Sequence, residues 1–279
     1  MIARRKTVNP MHLLVYAILI LFVFIAILPL FWMWQAAFRQ TDLTHYDPFA
    51  IPKALTFSKI IQAWTIGRMS TYMKNSLIVA VPRVFLILVL ASLAGFSFGS
   101  LRWRGRDGLF AFILVGMMIP IQAMIIPVYY NMQRFGMINT YWAMIIPPIG
   151  MAMPFSIFMM RSFFSDIPGE IMDSAVVDGC SKGKAWLYIM LPQVKPALVS
   201  LLIFQFMWSW NDYLLPMLVV YDDSKRTLPM GLNYFQGKYT MDQALIAAGV
   251  TISTLPIIIV YVMFQRSFIQ GITAGAVKG

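Results

Sequence analysis

The sequence predicts an all-α integral membrane protein with six membrane-spanning helices. Of its 279 residues, 59% are hydrophobic and only 12% are charged, whereas about 25% of the residues in a typical soluble domain are charged. The mean hydropathy is +0.72. Six segments are long and nearly free of charge, and a spanning helix needs about 20 apolar residues. This composition excludes a soluble enzyme.

The six predicted spans follow one another along the chain. They are residues 11–38, 75–101, 108–133, 135–160, 196–221 and 243–265. The first span is too long for the apolar region of a secretory signal and has no small-residue cleavage site, so we expect it to stay uncleaved. Pro120 and Pro127 predict a kinked third span, and three prolines predict the same for the fourth. Gly95 and Gly99 in the second span predict close helix packing.

These spans define the predicted domain organisation. It comprises a cytoplasmic N-terminus at 1–10, the first helix at 11–38, an external loop at 39–70, a core domain of five helices at 71–265 and a cytoplasmic tail at 266–279. The core contains a polar, amphipathic loop at 162–195. The net charge is +11, but the basic residues separate the spans instead of forming the patch of a nucleic-acid binder. They are more frequent on the side that holds both termini, which predicts that both termini are cytoplasmic.

The sequence lacks the residue patterns of catalytic and metal sites. It has two histidines and one cysteine, Cys180, so neither a metal-ligand cluster nor an internal disulfide is expected. The phosphate-binding pattern G-x-x-x-x-G-K-[ST] is missing, since Asp178 stands where the first glycine is required and Ala185 follows Gly183 and Lys184. We therefore expect a non-catalytic chain that binds no metal and no cofactor itself.

Residues 167–196 predict a helix-turn-helix outside the membrane. Pro168 suits a first helical turn, and Glu170 favours a helix N-terminus. Gly179 fits the left-handed position that ends a helix. A second short helix that carries Trp186 is expected to stop at Pro192. The small residues at the centre of this helix-turn-helix indicate that it docks into a groove of a partner protein. The alternative is an ordinary helical hairpin with no docking role.

This loop resembles the EAA loop in the permease subunits of ABC-type importers. That motif reads Glu-Ala-Ala, then Asp-Gly three residues later, and it closes in Leu-Pro-x-x-x-Pro. The chain has Asp173-Ser174-Ala175, Asp178-Gly179 and Leu191-Pro192 followed by Pro196, with Cys180 and Trp186 in place of the usual Ala and Phe. The resemblance implies the type I ABC importer permease fold, with loop 162–195 as its coupling helix. It also implies coupling to an ATPase through Glu170, Asp173, Ala175, Asp178, Gly179 and Cys180.

Three further segments resemble the carbohydrate-uptake branch of these permeases, in particular the second permease of maltose and oligosaccharide systems. They are Asn139–Pro147, Trp210–Pro216 and Gly271–Gly279. The resemblance implies a location in the inner membrane and a second, homologous permease. It also implies two ATPase subunits that bind ATP and Mg, an external solute-binding protein and a carbohydrate substrate. Loop 222–242 is then either a finger towards the binding protein or a solvated connector.

Two other functions remain as alternatives to a carbohydrate importer. One is a self-sufficient secondary carrier, although the two halves of the sequence show no matching pattern of broken helices. The other is an ABC permease for a solute such as glycerol phosphate, which no residue excludes.

The expected substrate path lies near the middle of the fifth span. Trp208, Asn211, Asp212 and Tyr213 stand close together there, and such aromatic, amide and carboxylate groups suit sugar rings and hydroxyls. In a continuous helix Trp208 and Asp212 would share a face. The Asp212 carboxylate would then either line the path or pair with a neighbouring helix. Gln122 on the third span is a weaker candidate for the same path.

Overall fold

The computed structural model describes residues 10–39, 54–235 and 242–276. These residues are predominantly helical, which confirms the predicted all-α membrane class. Residues 1–9 of the expected cytoplasmic N-terminus lie outside the described residues. The same is true of 40–53 in the external loop, 236–241 in the expected finger and 277–279 in the tail.

The helices of the described residues are numbered in chain order. They are α1 (Pro10–Ala37), α2 (Ser58–Thr65), α3 (Met69–Ser100), α4 (Arg106–Val115), α5 (Ile121–Arg134), α6 (Tyr141–Ser165), α7 (Gly169–Val177), α8 (Lys182–Lys184), α9 (Leu191–Gln193), α10 (Lys195–Trp210), α11 (Leu214–Val219), α12 (Leu228–Gly231) and α13 (Gln243–Ala276). A π-helical segment, Ala185–Met190, joins α8 to α9. The last helix therefore continues well into the predicted tail.

Four of these helices, α1, α3, α6 and α13, are long and apolar enough to cross a membrane. Two further candidates are bent pairs: Arg106–Met118 with α5, at 98°, and Lys182–Gln193 with α10, at 81°. Counting each bent pair as one span gives six. The predicted third span is thus sharply broken where Pro120 adopts an extended conformation. The prolines of α6, in contrast, leave that helix unbroken.

Contacts divide the chain into two units, one made of residues 1–69 and 234–252 and the other of residues 70–233 and 253–279. In the first unit, Lys59 of α2 forms an ion pair with Asp242. The other carboxylate oxygen of Asp242 accepts a hydrogen bond from the backbone N–H of Leu245, at 3.0 Å. This residue therefore both caps the start of α13 and ties α2 to it.

In the second unit, α3 packs directly against α6 through two glycines. A Cβ atom placed on Gly95 would lie 2.9 Å from the backbone carbonyl carbon of Met160. One placed on Gly99 would lie 2.8 Å from the Cβ atom of Phe164. The Phe96 and Phe164 rings meet edge to face beside this contact, with centroids 5.8 Å apart. The close packing predicted from the sequence is confirmed.

Replacing Gly99 with leucine should destabilise the folded protein by about 1–3 kcal/mol or more, because the added side chain must displace backbone atoms of α6. Unfolding in detergent, followed by tryptophan fluorescence, measures the change. Gly150→Leu is the matched control, since Gly150 lies within the other helix of this pair, α6, and the space that its new Cβ atom would enter is open. Equal stability of the two variants would contradict the packing role of Gly99.

A set of hydrogen bonds, here called the loop-anchoring network, fixes the segment after α11 to α3 and α6. The Asn75 amide donates to the carbonyl oxygens of Ser224 and Arg226, both at 2.8 Å. The Tyr141 hydroxyl donates to Asn75 Oδ1 at 2.7 Å. The Tyr72 hydroxyl donates to the Asp223 carboxylate at 2.8 Å. The first part of the 222–242 loop is therefore tied down by side chains distant in sequence.

Asp222 begins this anchored segment. Hydrogen bonds from the side chain and backbone of Ser224, together with the Lys225 ammonium, hold the pKa of the Asp222 carboxyl below its usual range. Because the folded pKa is lowered, the stabilisation is present above the ordinary carboxyl pKa. It is lost as the pH falls through the lowered value. The segment accordingly keeps these bonds at neutral pH.

Candidate functional site

The loop at 162–195 folds as the hairpin that the sequence predicts. Helix α7 ends at a tight turn in which Gly179 has a φ of +74°, the left-handed conformation. The N–H of Gly179 donates to the carbonyl of Val176 at 3.0 Å, and that of Cys180 donates to Ala175 at 2.9 Å. This pair of bonds is the Schellman motif, which favours glycine at this position. The predicted role of Gly179 in the turn is confirmed.

The prediction that Pro192 stops the second helix is wrong. The helix runs from Lys182 to Gln193 and passes through Pro192. Just before the proline, the N–H of Leu191 donates to the carbonyl of Trp186, five residues back. Such π-helical widening alters the hydrogen-bond register ahead of a residue that has no N–H, so the helix includes Pro192 and ends one residue later, at Gln193.

The inner side of the hairpin is buried against three membrane helices. Buried hydrophobic residues from the hairpin and from α3, α6 and α10 form one cluster: Ala91, Phe96, Met160, Phe164, Met172, Ala175, Ala185, Met190, Val194, Ala197 and Leu201. Cys180 and Trp186, both partly buried, pack against it. Two predicted coupling residues, Ala175 and Cys180, thus face inwards and fasten the hairpin to the spans.

The outer side of the hairpin is acidic. Glu170, Asp173, Ser174, Val177 and Asp178 line a shallow depression of about 410 Å³, here called the acidic hairpin face. Val177 is 86% exposed. Val177 was not among the residues predicted from the sequence, although its spacing of four and seven residues from Asp173 and Glu170 places it on the same helix face. Three carboxylates around an exposed valine would complement a partner surface that is basic and has a small apolar pocket.

A second cavity, of about 490 Å³, lies where the broken pair α4–α5 meets α6 and the end of α10. It is lined by Gly116, Met117, Ile119, Ile121, Met124, Met151, Ala152, Phe155, Trp208 and Asp212, and it is here called the Asp212 cavity. The Trp208 ring is about half exposed and contacts the Phe155 ring edge to face, with centroids 5.1 Å apart. The cavity therefore combines an apolar wall with two aromatic side chains and one carboxylate.

Asp212 also forms an ion pair. Its Oδ2 accepts a hydrogen bond from Nη1 of Arg83 on α3 at 2.8 Å, and the Asp212 and Arg83 side chains are 19% and 9% exposed. The sequence left open whether Asp212 lines a path or pairs with a neighbouring helix. In the structure it lines the Asp212 cavity and also pairs with α3.

The expectation of a continuous fifth span is wrong, because α10 ends at Trp210 and α11 begins at Leu214. The Asn211 amide donates back to the carbonyl of Met207 at 2.8 Å. The Tyr213 hydroxyl accepts from Asn233 at 2.8 Å. Gln122 is exposed on α5 and is not part of the wall of the Asp212 cavity. Of the predicted path residues, the structure brings together Trp208 and Asp212.

Comparison with known protein families identifies the family of this chain. Residues 87–274 match the family described as binding-protein-dependent transport system inner membrane component. The chain belongs to this family. The matched range contains the hairpin and the lining residues of the Asp212 cavity. As a member of the family, the chain is a multi-pass inner-membrane transport permease.

Relatives of this inner membrane component cover nearly all of its length. It is 34% identical over 260 residues to the arabinooligosaccharides transport system permease protein AraQ of Halalkalibacterium halodurans, covering 92% of each chain. It is 29% identical over 265 residues to the diacetylchitobiose uptake system permease protein NgcG of Streptomyces coelicolor, covering 94% of this chain and 88% of that one.

A similar fold occurs in a solved structure, that of a bacterial ABC transporter involved in the import of the acidic polysaccharide alginate. Its TM-score is 0.80 at 21% identity, and the match covers 96% of this chain and 100% of the other. At this identity the likeness concerns the fold alone. It confirms the ABC importer permease fold that the hairpin motif implied.

Proposed function

We propose that this chain is a permease subunit of an ATP-binding-cassette importer that moves a carbohydrate across the inner membrane. The observation that carries the proposal is the family match over residues 87–274. It is supported by relatives named for transport of arabinooligosaccharides, diacetylchitobiose and trehalose, the last in Mycobacterium tuberculosis. The substrate is accordingly a mono- or oligosaccharide or a derivative of one.

The working transporter in this proposal contains a second homologous permease, two ATPase subunits and an extracytoplasmic solute-binding protein. ATP and Mg bind to the ATPase subunits, and this chain contributes no cofactor. Both termini lie in the cytoplasm. A bacterial alginate ABC transporter with a similar fold, at a TM-score of 0.62 to this chain, was solved in complex with a periplasmic protein that holds an alginate pentasaccharide.

The hairpin is the coupling element in this proposal. Glu170, Asp173 and Asp178 on the acidic hairpin face contact the ATPase, while Gly179 sets the turn. Ala175 and Cys180 fasten the hairpin to the buried cluster that includes α3, α6 and α10. A displacement of the ATPase surface would therefore reach three spans through packed side chains.

The Asp212 cavity is the proposed section of the sugar path. Trp208 offers an aromatic face to a sugar ring, and the Asp212 carboxylate accepts hydrogen bonds from hydroxyls. Asn211 and Tyr213 shape the break between α10 and α11 that brings Asp212 to the cavity. Gln122, exposed on α5, is placed along the same path outside this cavity.

Purification of the tagged chain from its native membrane in mild detergent tests the proposal. We expect an ATPase subunit to copurify, and its activity after reconstitution with the binding protein to rise with one sugar of a panel of trehalose, diacetylchitobiose and arabinotriose. A self-sufficient secondary carrier would instead purify without an ATPase and take up solute along an ion gradient. That result would overturn the proposal.

Replacing Val177 with serine should weaken retention of the ATPase during this purification by about fivefold, since burial of an exposed valine contributes roughly 1 kcal/mol or more. Val176→Ser is the matched control, because Val176 adjoins Val177 but does not line the acidic hairpin face. The ratio of ATPase to permease on a stained gel gives the result. Equal retention by both variants would show that this face is not the docking surface.

A further inference from the structure

We propose that the Arg83–Asp212 ion pair sets the charge preference of the Asp212 cavity and makes it selective for uncharged saccharides. This inference rests on the proposed function, because it names the class of sugar that the same path accepts. It also gives a role to Arg83, which lies outside the wall of the cavity.

The pair is oriented with its negative end towards the cavity. Asp212 lines the cavity, whereas the Arg83 side chain is 9% exposed and lies behind it. Arg83 reaches Asp212 through Nη1, at 2.8 Å, and its Nε atom is buried without a hydrogen-bond partner among the described residues. Its positive charge is therefore used to hold Asp212 and is not presented to a solute.

The rest of the wall cannot compensate a charged solute. Apart from Asp212, the lining consists of small, aliphatic, thioether and aromatic residues. A sugar carboxylate in this cavity would lose its hydration, find no cation on the wall and face the Asp212 carboxylate. A sugar hydroxyl, in contrast, can donate a hydrogen bond to Asp212 while the ring lies against Trp208. The arrangement therefore favours hydroxyl-rich, uncharged saccharides over uronates.

The test measures the charge preference of the cavity directly, with two thiol reagents as probes. The chain has one cysteine, so Cys180→Ser gives a cysteine-free background and Ala152→Cys places a reporter thiol on the cavity wall. The reporter thiolate displaces methanesulfinate from a methanethiosulfonate that carries either a trimethylammonium or a sulfonate group. Ser162→Cys, on an exposed side of α6, reports the ratio of the two rates away from the cavity.

We expect the cationic reagent to be favoured at Ala152→Cys relative to Ser162→Cys. Asp212→Asn should shift the ratio of rates towards the anionic reagent by about tenfold, because arginine stays charged and loses its counter-ion. The paired variant Arg83→Gln with Asp212→Asn should remove the cationic preference altogether. If Asp212→Asn alone does not fold, the ratio of labelling rates in this paired variant tests the inference.

Two results would overturn the inference. One is a ratio at Ala152→Cys that stays the same in the wild-type pair and in the paired neutral variant, which would make the pair only a structural brace of the helix break. The other is the absence of labelling by either reagent, which would mean that the cavity admits no solute. Neither measurement uses sugar or ATP, so failure here is distinguishable from failure of the ATPase copurification.

Discussion

Replacing Gly179 with proline should abolish the sugar-stimulated part of ATP hydrolysis in the assembled transporter. Gly179 has a φ of +74°, which proline cannot adopt because its ring fixes φ near −65°. Proline also removes the N–H that donates to Val176. The turn must therefore rearrange, and the acidic hairpin face changes its position relative to the spans. ATPase activity with and without sugar, in reconstituted vesicles, measures the effect.

A graded series separates coupling from folding. Gly179→Ala should weaken stimulation less than Gly179→Pro, since a Cβ atom in the left-handed region costs about 1–2 kcal/mol. Gly183→Ala, in the same hairpin and also with open space at the new Cβ, should leave stimulation unchanged because its φ is not positive. Gel filtration of each complex verifies assembly. Full stimulation in an assembled Gly179→Pro complex would contradict the coupling role of the hairpin.

Replacing Arg83 with methionine should be the most destabilising of the single substitutions considered. Removal of one partner of a buried ion pair leaves an uncompensated charge and costs about 3–5 kcal/mol. Asp212 would then be left at the cavity without its only ion-pair partner among the described residues. Unfolding in a titration with sodium dodecyl sulfate, followed by tryptophan fluorescence, measures the loss.

The double variant Arg83→Met with Asp212→Leu should recover most of that stability, because an apolar pair of similar volume often replaces a buried ion pair at little cost. Recovery would show that the instability of the single variant comes from the unpaired carboxylate and not from lost packing of the Arg83 stem. A double variant as unstable as the single one would contradict this explanation.

Much of the fold could be predicted from the sequence because the membrane imposes a simple rule. Long uncharged segments must become helices, so the approximate positions of the four long apolar helices, α1, α3, α6 and α13, follow from hydropathy alone. The break after Trp210 could not be predicted in this way, since α10 and α11 are both apolar. It coincides with the bond between Asp212 and Arg83, which are 129 positions apart. Hydropathy carries no information about such a partner.

The turn of the hairpin depends on local sequence, whereas the cavity depends on contacts between helices that are distant in sequence. The turn at Gly179 was predictable because a Schellman motif depends on a few adjacent residues. The role of Phe155 in the cavity depends on which helices pack together, so a single sequence does not give it. The passage of a helix through Pro192 depends on π-helical hydrogen bonding just before it, which has no clear sequence signal.

The loop-anchoring network has a mechanical consequence for α3 and α6. These helices are pinned to each other near one end by Asn75 and Tyr141, and near the other by Gly99 against Phe164. For α3 and α6 to slide or separate, both of these contacts would have to break. We therefore expect the two helices to move together as one rigid body. In the proposed coupling mechanism, a displacement of the hairpin would therefore move α3 and α6 together. We expect any bending to occur instead at the helix breaks, which lie at Pro120 and at residues 211–213.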